Sequence, residues 1–349
     1  MGKDIIKSKY DKFCLRISGV VVLSVFLVTI ILSLVPVGKL LDQNYFSSIV
    51  ISAAFYVSLV VAMVGVYRQN QLEKITYGRL WPVFAIMLGA TYGFLANISG
   101  HLFVFLVTNI LNYHVFAPIW VSFLVSLFCG VLAYCTAKGV FRLNRQKFLL
   151  LIVVTVTVGF CAATILTNNQ DWWRTSICSL GMPRNVNSEY YNITLILFGL
   201  LSVLFAYYLR PQIRSLIAKG LLDRTSVFIL TSLYFMEMIA VALIGVFPYG
   251  LFNWANPVHM FLASFVFFDI MPILFFAFWF FRKFPRKFMI TSYVLSLIGA
   301  TFYYLTGFVN TSIPFAVTEI VTIVAVLLWI VLFLGTLSKM SSPKYIHIK

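Results

Sequence analysis

Apolar residues fall in runs of about twenty, a bilayer core's worth of helix, separated by short polar stretches rich in Lys and Arg. The runs lie near residues 17–36, 46–67, 81–111, 116–137, 148–167, 192–209, 226–247, 257–281, 288–308 and 313–337. None alternates polar and apolar positions with a period of two, so they predict helices and not the strands of a barrel. In lipid a backbone group outside a helix or a closed barrel has nothing to bond to. The expected fold class is therefore an all-α integral membrane protein of about ten transmembrane helices. The first run follows basic residues as a signal peptide would, but it is too long and lacks a small-residue cleavage site, so it reads as a retained helix.

The polar stretches set the expected orientation. Of the 26 Lys and Arg residues, 23 lie at the termini or after even-numbered helices, and only Lys39, Arg174 and Arg184 fall on the other side. That split predicts N-in and C-in, both termini cytoplasmic, in a multi-pass protein of the plasma membrane. The expected partners are the lipid bilayer and the anionic lipids of its cytoplasmic face; protein partners stay open. Composition agrees, with 61% hydrophobic and 10% charged residues, far from a soluble domain. The net charge of +16 does not point to nucleic acid, because the cations are scattered between apolar runs and form no single patch. Five cysteines, Cys14, Cys129, Cys135, Cys161 and Cys178, show no metal-type spacing and suggest no disulfide framework.

Residues 1–147 read as an N-terminal four-helix transmembrane block and 148–349 as a six-helix domain. Helix 3 is too long for one simple crossing, so Gly93, Asn97 and Gly100 are expected either to end its spanning part near His101 or to accompany a steep tilt. Gly89 and Gly93 have the spacing that lets a neighbouring helix approach closely. Two connections are long: an expected outer loop, 168–191, and an expected cytoplasmic segment, 210–224, whose alternating cations and aliphatics suit the membrane surface. No internal repeat is visible.

Candidate chemistry begins with carboxylates inside apolar runs: Glu237 in helix 7, Asp269 in helix 8 and Glu319 in helix 10. Ionised in lipid, each costs about 2.5–3.5 kcal/mol, so such acids face the bundle interior, pair, or take up a proton. Glu237 and Asp269 sit at similar depths on antiparallel neighbours and are expected to share one pocket and a proton. Gly245 and Pro248 are expected to end helix 7 and to present His259 to the outer water. The outer face also offers His101, His114, Asp171, Arg174, Ser176 and Ser179. Their spacing matches no zinc motif and no serine-hydrolase elbow, and phosphate and dinucleotide loops are missing, so no metal and no cofactor is expected.

From helix 5 onward the chain resembles a bacterial and archaeal six-helix membrane family known only as domain of unknown function nine-nine-eight. The resemblance rests on Asp171-Trp172, on Ser176-Ile-Cys-Ser-Leu-Gly181, on Asn192 with Gly199, on Gly245-Val-Phe-Pro248 with His259 after it, and on Glu319 with Trp329. The family pattern often carries an acid before the Leu-Gly, where this chain has Ser179. It implies a fold and candidate residues but no activity. The function expected is binding or transport of a small molecule, ion or lipid headgroup through a carboxylate-lined pocket open to the outer face. Two rivals stay open: a membrane-embedded enzyme acting on lipid or glycolipid headgroups through His259, Asp171 and a loop serine, and a non-catalytic immunity or partner-binding subunit.

Overall fold

Apolar runs that lipid forbids to leave peptide groups unpaired fold as one long helix after another. The computed structural model describes residues 2–34, 43–73, 78–110, 118–220, 222–275, 279, 284–308 and 313–340, some of them, Asp269 included, in their backbone only. The long helices are α1 Gly2–Leu34, α2 Gln43–Glu73, α3 Trp81–Phe105, α4 Pro118–Phe141, α5 Arg145–Leu166, α6 Glu189–Ala218, α7 Arg224–Val246, α8 Ala255–Phe275, α9 Arg286–Phe308 and α10 Phe315–Met340. Among the described residues there is no strand, and nine helices are long and apolar enough to cross a membrane. The eighth expected span, 257–281, is helical over α8, and its further part, residue 279 apart, lies outside the described residues. The chain is thus an all-α, multi-pass membrane protein.

It divides into two compact units, Met1–Lys147 and Phe148–Lys349. In the first unit, Gly89, Gly93 and Gly100 let α3 lie directly on α2: a methyl at Gly89 or Gly93 would stand 3.1–3.2 Å from the Leu59 or Phe55 carbonyl oxygen. The helix continues through Gly100 and His101 to Phe105, followed by a π-turn at Leu106–Ile110. It is therefore not broken at Gly100, because the absence of a side chain there serves contact with Ile51 and Ala54. Elsewhere in the unit, Ser18 donates to the Gly130 carbonyl (2.8 Å), joining α1 to α4, and Tyr10 stacks on Phe141 at 4.4 Å.

In the second unit α6 and α7 touch backbone to backbone. The space a side chain at Gly199 would need is taken by the Met238 carbonyl and Ala242, and that at Gly245 by the Asn192 carbonyl and Ile196. Gly159 on α5 faces Thr194 in the same way. The segment expected to lie along the membrane surface is instead a continuation of α6 through Pro211 to Ala218. The reason is packing: Leu216 is fully buried in a cluster with Phe284, Phe288, Leu337 and Met340, and Gln212 donates to the Leu337 carbonyl (3.2 Å). α9 and α10 are joined where the Trp329 indole donates to Ser292 Oγ (3.0 Å), beside a stack of Trp329 on Phe333 with centroids 5.3 Å apart. Exposed Leu297, Ile298, Leu328 and Val331 on these two helices give them a face suited to lipid.

Candidate functional site

The loop between α5 and α6 is built rather than loose. Its base is fastened to α5, where Asn187 donates to the Leu166 carbonyl (3.0 Å) and Val186 N–H donates to Asn168 Oδ1 (2.9 Å). Asn187 adopts φ 59°, a left-handed conformation that asparagine tolerates better than most side chains. Inside the loop a helical turn, Trp172–Thr175, leads into a 3₁₀ turn, Ile177–Gly181. Asn185 donates to the Ser179 carbonyl (2.5 Å) and Asn192, in the first turn of α6, donates to the Gly181 carbonyl (3.0 Å).

Glu319, one turn into α10, closes this loop from the far end of the sequence. Its carboxylate accepts from Ile177 N–H at 2.6 Å and from Ser176 Oγ at 2.8 Å, with Cys178 Sγ 4.0 Å away. Tyr191 donates to Cys178 Sγ (3.5 Å). A carboxylate receiving a backbone N–H and a hydroxyl makes bonds stronger than neutral ones. Burial, with the negative charge of Glu319 beside it, pushes the Cys178 thiol up to about 11, so it is a proton-holding group and no nucleophile at neutral pH.

Among the described residues, the other candidates that the sequence assigned to an outer face do not converge on this carboxylate. Asp171 and Arg174 form an exposed ion pair with each other (3.3 Å), Arg174 lying over the Trp173 ring; in water such a pair contributes little. Ser179 is buried, its hydroxyl 3.5 Å from the Trp172 carbonyl. His101 stands 3.3 Å from the Asn97 carbonyl of its own helix, and His114 lies outside the described residues.

α7 does end before Pro248, but His259 is not presented to water. It is 2% exposed, because the chain turns back and sets Nδ1 2.9 Å from the Phe247 carbonyl. That bond makes Nδ1 the donor and Nε2 an acceptor, and Nε2 has no hydrogen-bond partner among the described residues. No hydrogen bond described here joins His259 to Asp171, Ser176 or Ser179.

Elsewhere in the second unit, α6, α7 and α10, with Leu222 and Phe284, line a partly open cavity of about 120 Å³. Its α7 wall runs from Asp223 and Ser226 through Thr231 and Tyr234 to Glu237, a stripe at helical spacing. Glu237 is 4% exposed, and at 1.5 Å per residue it lies about 16 Å along the helix from Ser226. Asp223 caps α7, accepting from Ser226 N–H (3.0 Å) and Oγ (3.1 Å). Val326, Trp329, Ile330, Phe333 and Leu337 of α10 form the facing wall. Val326, Ile330 and Leu337 fall within about 20° of Glu319 on the helical wheel, so a single face of α10 bears the loop's anchor above and the cavity wall below. The Asp269 side chain lies outside the described residues, and with it the expected pairing with Glu237.

The sequence reading did not single out Tyr191, Asn185, Asn187 or the Ile177 N–H. The one signal for the asparagines was their density in a loop, where they commonly bond backbone groups. No curated protein and no solved structure matches the chain. A family model described as "Protein of unknown function (DUF998)" matches residues 150–336, just over half of the protein, and the chain belongs to that family.

Proposed function

We propose that the Phe148–Lys349 unit binds a small molecule inside the membrane, in the cavity between α6, α7 and α10, as the binding step of a carrier. The observation behind this reading is Glu237, a buried carboxyl group at the deep end of a cavity whose walls are otherwise mostly apolar. An acid at that depth is costly, and intramembrane acids are functional more often than structural. Small-molecule sites have this make-up, an apolar enclosure with a few placed polar groups.

The charge distribution favours a cytoplasmic location for both termini and for the Asp223 end of α7, in a plasma membrane whose anionic lipids attract the basic loops. The sequence reading put the pocket's mouth at the outer face; the cavity lining runs instead toward Asp223, so the proposed mouth is cytoplasmic. The loop anchored by Glu319 then covers the opposite, outer end of the same α10 face.

The test is retention of bound molecules by the full-length protein in lipid nanodiscs, read by native mass spectrometry. Ala206 lines the cavity, and Ala206→Phe fills it while keeping the surface unchanged. Wild type is expected to carry one or more discrete small-molecule adducts that the filled variant lacks. Identical adducts on both proteins, or none on wild type after gentle extraction, would remove the cavity as the binding site.

A further inference from the structure

We infer that the molecule taken by this cavity is an anionic membrane phospholipid, with one acyl chain lying in the cavity and its headgroup on the cations at the Asp223 end. The inference rests on the reading of the cavity as a binding site and adds the chemical class of its ligand.

Shape is the first argument. The lining runs along the helices and is not gathered around one point: it extends from Phe205 to Ile213 on α6, from Asp223 to Glu237 on α7 and from Val326 to Leu337 on α10. At 1.5 Å per residue those walls are about 12, 21 and 17 Å long. A volume of about 120 Å³ drawn out over such a length is a slot, several times longer than it is wide. A linear chain fills a slot, whereas a ring system or a sugar needs the same volume collected in one place. Leu209, Ile213, Leu230, Val326 and Ile330 give the slot a hydrocarbon lining.

Depth is the second. The 30 residues of α6 make about 45 Å of helix against a hydrocarbon core of ~30 Å, so the end of α6 beyond Leu209 reaches headgroup level when its first turn lies at the opposite surface. The slot opens there: Asp223 is exposed and Ile213 and Leu222 are half-buried, whereas Glu237 and Met238 at the other end are buried. From the open end inward the α7 wall covers about 20 Å, somewhat more than the ~15 Å occupied by the tails of one leaflet.

Charge is the third. Exposed Arg210, Arg214, Lys219, Arg224, Arg286 and Lys287 each lie within three residues of a lining residue at the open end. Basic clusters at the cytoplasmic ends of spanning helices attract anionic headgroups, and the long stems of Arg and Lys let their charges reach that layer. The acid at this end, Asp223, turns its carboxylate onto the first turn of α7, where it accepts from Ser226 N–H and Oγ. Residues 205–226, 276–290 and 330–349 contain no other acid. Cations of this kind are ordinary at a cytoplasmic surface; here they stand beside the mouth of an apolar slot, which is the arrangement a phospholipid complements with both of its parts.

Native mass spectrometry of the full-length protein, released from nanodiscs of equal parts dioleoyl phosphatidylglycerol and dioleoyl phosphatidylcholine, tests the class of ligand. The two lipids share their chains and differ in headgroup charge. Wild type is expected to retain phosphatidylglycerol at least about tenfold in preference to phosphatidylcholine, a difference of about 1.4 kcal/mol. Ala206→Phe is expected to retain neither, and the double variant Arg210→Gln, Arg214→Gln to lose most of the preference. Salt supplies a check that needs no variant: at about 1 M the screening length falls to ~3 Å, and the wild-type preference should shrink severalfold. Equal retention of the two lipids by wild type, lost in Ala206→Phe, would overturn the anionic-lipid inference and leave the cavity reading standing. Phosphatidylglycerol held as well by Ala206→Phe as by wild type would put the lipid outside the slot and overturn the inference. An adduct that is neither lipid and is lost in Ala206→Phe would overturn the inference while supporting the cavity reading, and no adduct of any kind would overturn both.

Discussion

Replacing Glu319 by alanine should release the loop it holds, and the size of the effect follows from the bonds it removes. Two donors, Ile177 N–H at 2.6 Å and Ser176 Oγ at 2.8 Å, lose their acceptor. Hydrogen bonds to charged groups contribute about 1.5–3 kcal/mol each. Glu319 is only half-buried, so water replaces part of the loss, and about 2–3 kcal/mol in total is the reasonable expectation, roughly 30- to 150-fold in loop population. Cys178 reports the change. Its thiol, pushed up to about 11 from an ordinary 9.0 by burial first and by Glu319 second, returns toward 9 when the loop opens and the carboxylate is gone. Near pH 8 that shift alone multiplies the reactive thiolate by about 100. The two effects share a cause and do not simply multiply, so an increase of about 30- to 100-fold in labelling rate is expected. The assay is maleimide labelling of the purified protein in a Cys135→Ser, Cys161→Ser background, with Cys14 and Cys129 buried. The wild-type rate should rise tenfold per pH unit as far as about pH 11, and that of the variant should level off near pH 9. A rate within about threefold of wild type would show that Glu319 does not hold the loop.

Other outcomes can be checked independently. Gly199→Leu should lower thermal stability in detergent by an overpacking cost of about 1–3 kcal/mol or more, since the Met238 carbonyl occupies the space, whereas Gly335→Leu, with open space around it, should not; equal effects would deny the close α6–α7 contact. Trp329→Ala should lower the melting temperature, at a cost below the ~3–5 kcal/mol of a fully buried aromatic because the ring is half-buried, and Trp329→Phe should cost less again; an unshifted melting temperature for the alanine variant would show that the ring does not brace α9 against α10. On intact cells, a cysteine at Asn253 should react with a membrane-impermeant reagent and one at Arg286 should not, and the reverse pattern would invert the proposed orientation.

The helices were legible because lipid imposes one rule on every spanning segment: satisfy the backbone within the segment. Apolar length therefore maps onto structure almost directly, as at 148–167, which became α5 Arg145–Leu166. Where the rule is weaker the reading fell short. For helix 3 the reading left two outcomes open, an end to the spanning part near His101 or a steep tilt; α3 runs on through Gly100, whose missing side chain serves contact with Ile51. Pro211 stood among alternating cations and aliphatics, and the burial of Leu216 carried the helix past it. Membership of the family was readable from the loop motif, from Gly245 to Pro248, and from Glu319. The bond between Ser176 and Glu319 was not, since 143 positions separate them and nothing in either neighbourhood names the other. The cavity was invisible for a similar reason: Phe205, Leu230 and Phe333 read as ordinary core residues until three helices leave a space between them.

The shared face of α10 makes that helix a stiff shaft between two distant points. Its outer radius with side chains is about 5–6 Å, so a roll of 30° about its own axis, enough to pull Glu319 off Ile177, would sweep a side chain elsewhere on the shaft by about 3 Å. Ile330 and Phe333 would then leave their places in the cavity wall at the same moment that the loop came free. Axial stiffness would carry that rotation without any relay of side chains between the two ends, so the loop and the cavity could not be set independently. A disulfide or short crosslink that pins α10 to α6 through Leu337 and Gln212, which already touch, should therefore slow Cys178 labelling in an otherwise unaltered loop. Unchanged labelling in the crosslinked protein would mean that the loop swings on its own asparagine-braced base and leaves the shaft at rest.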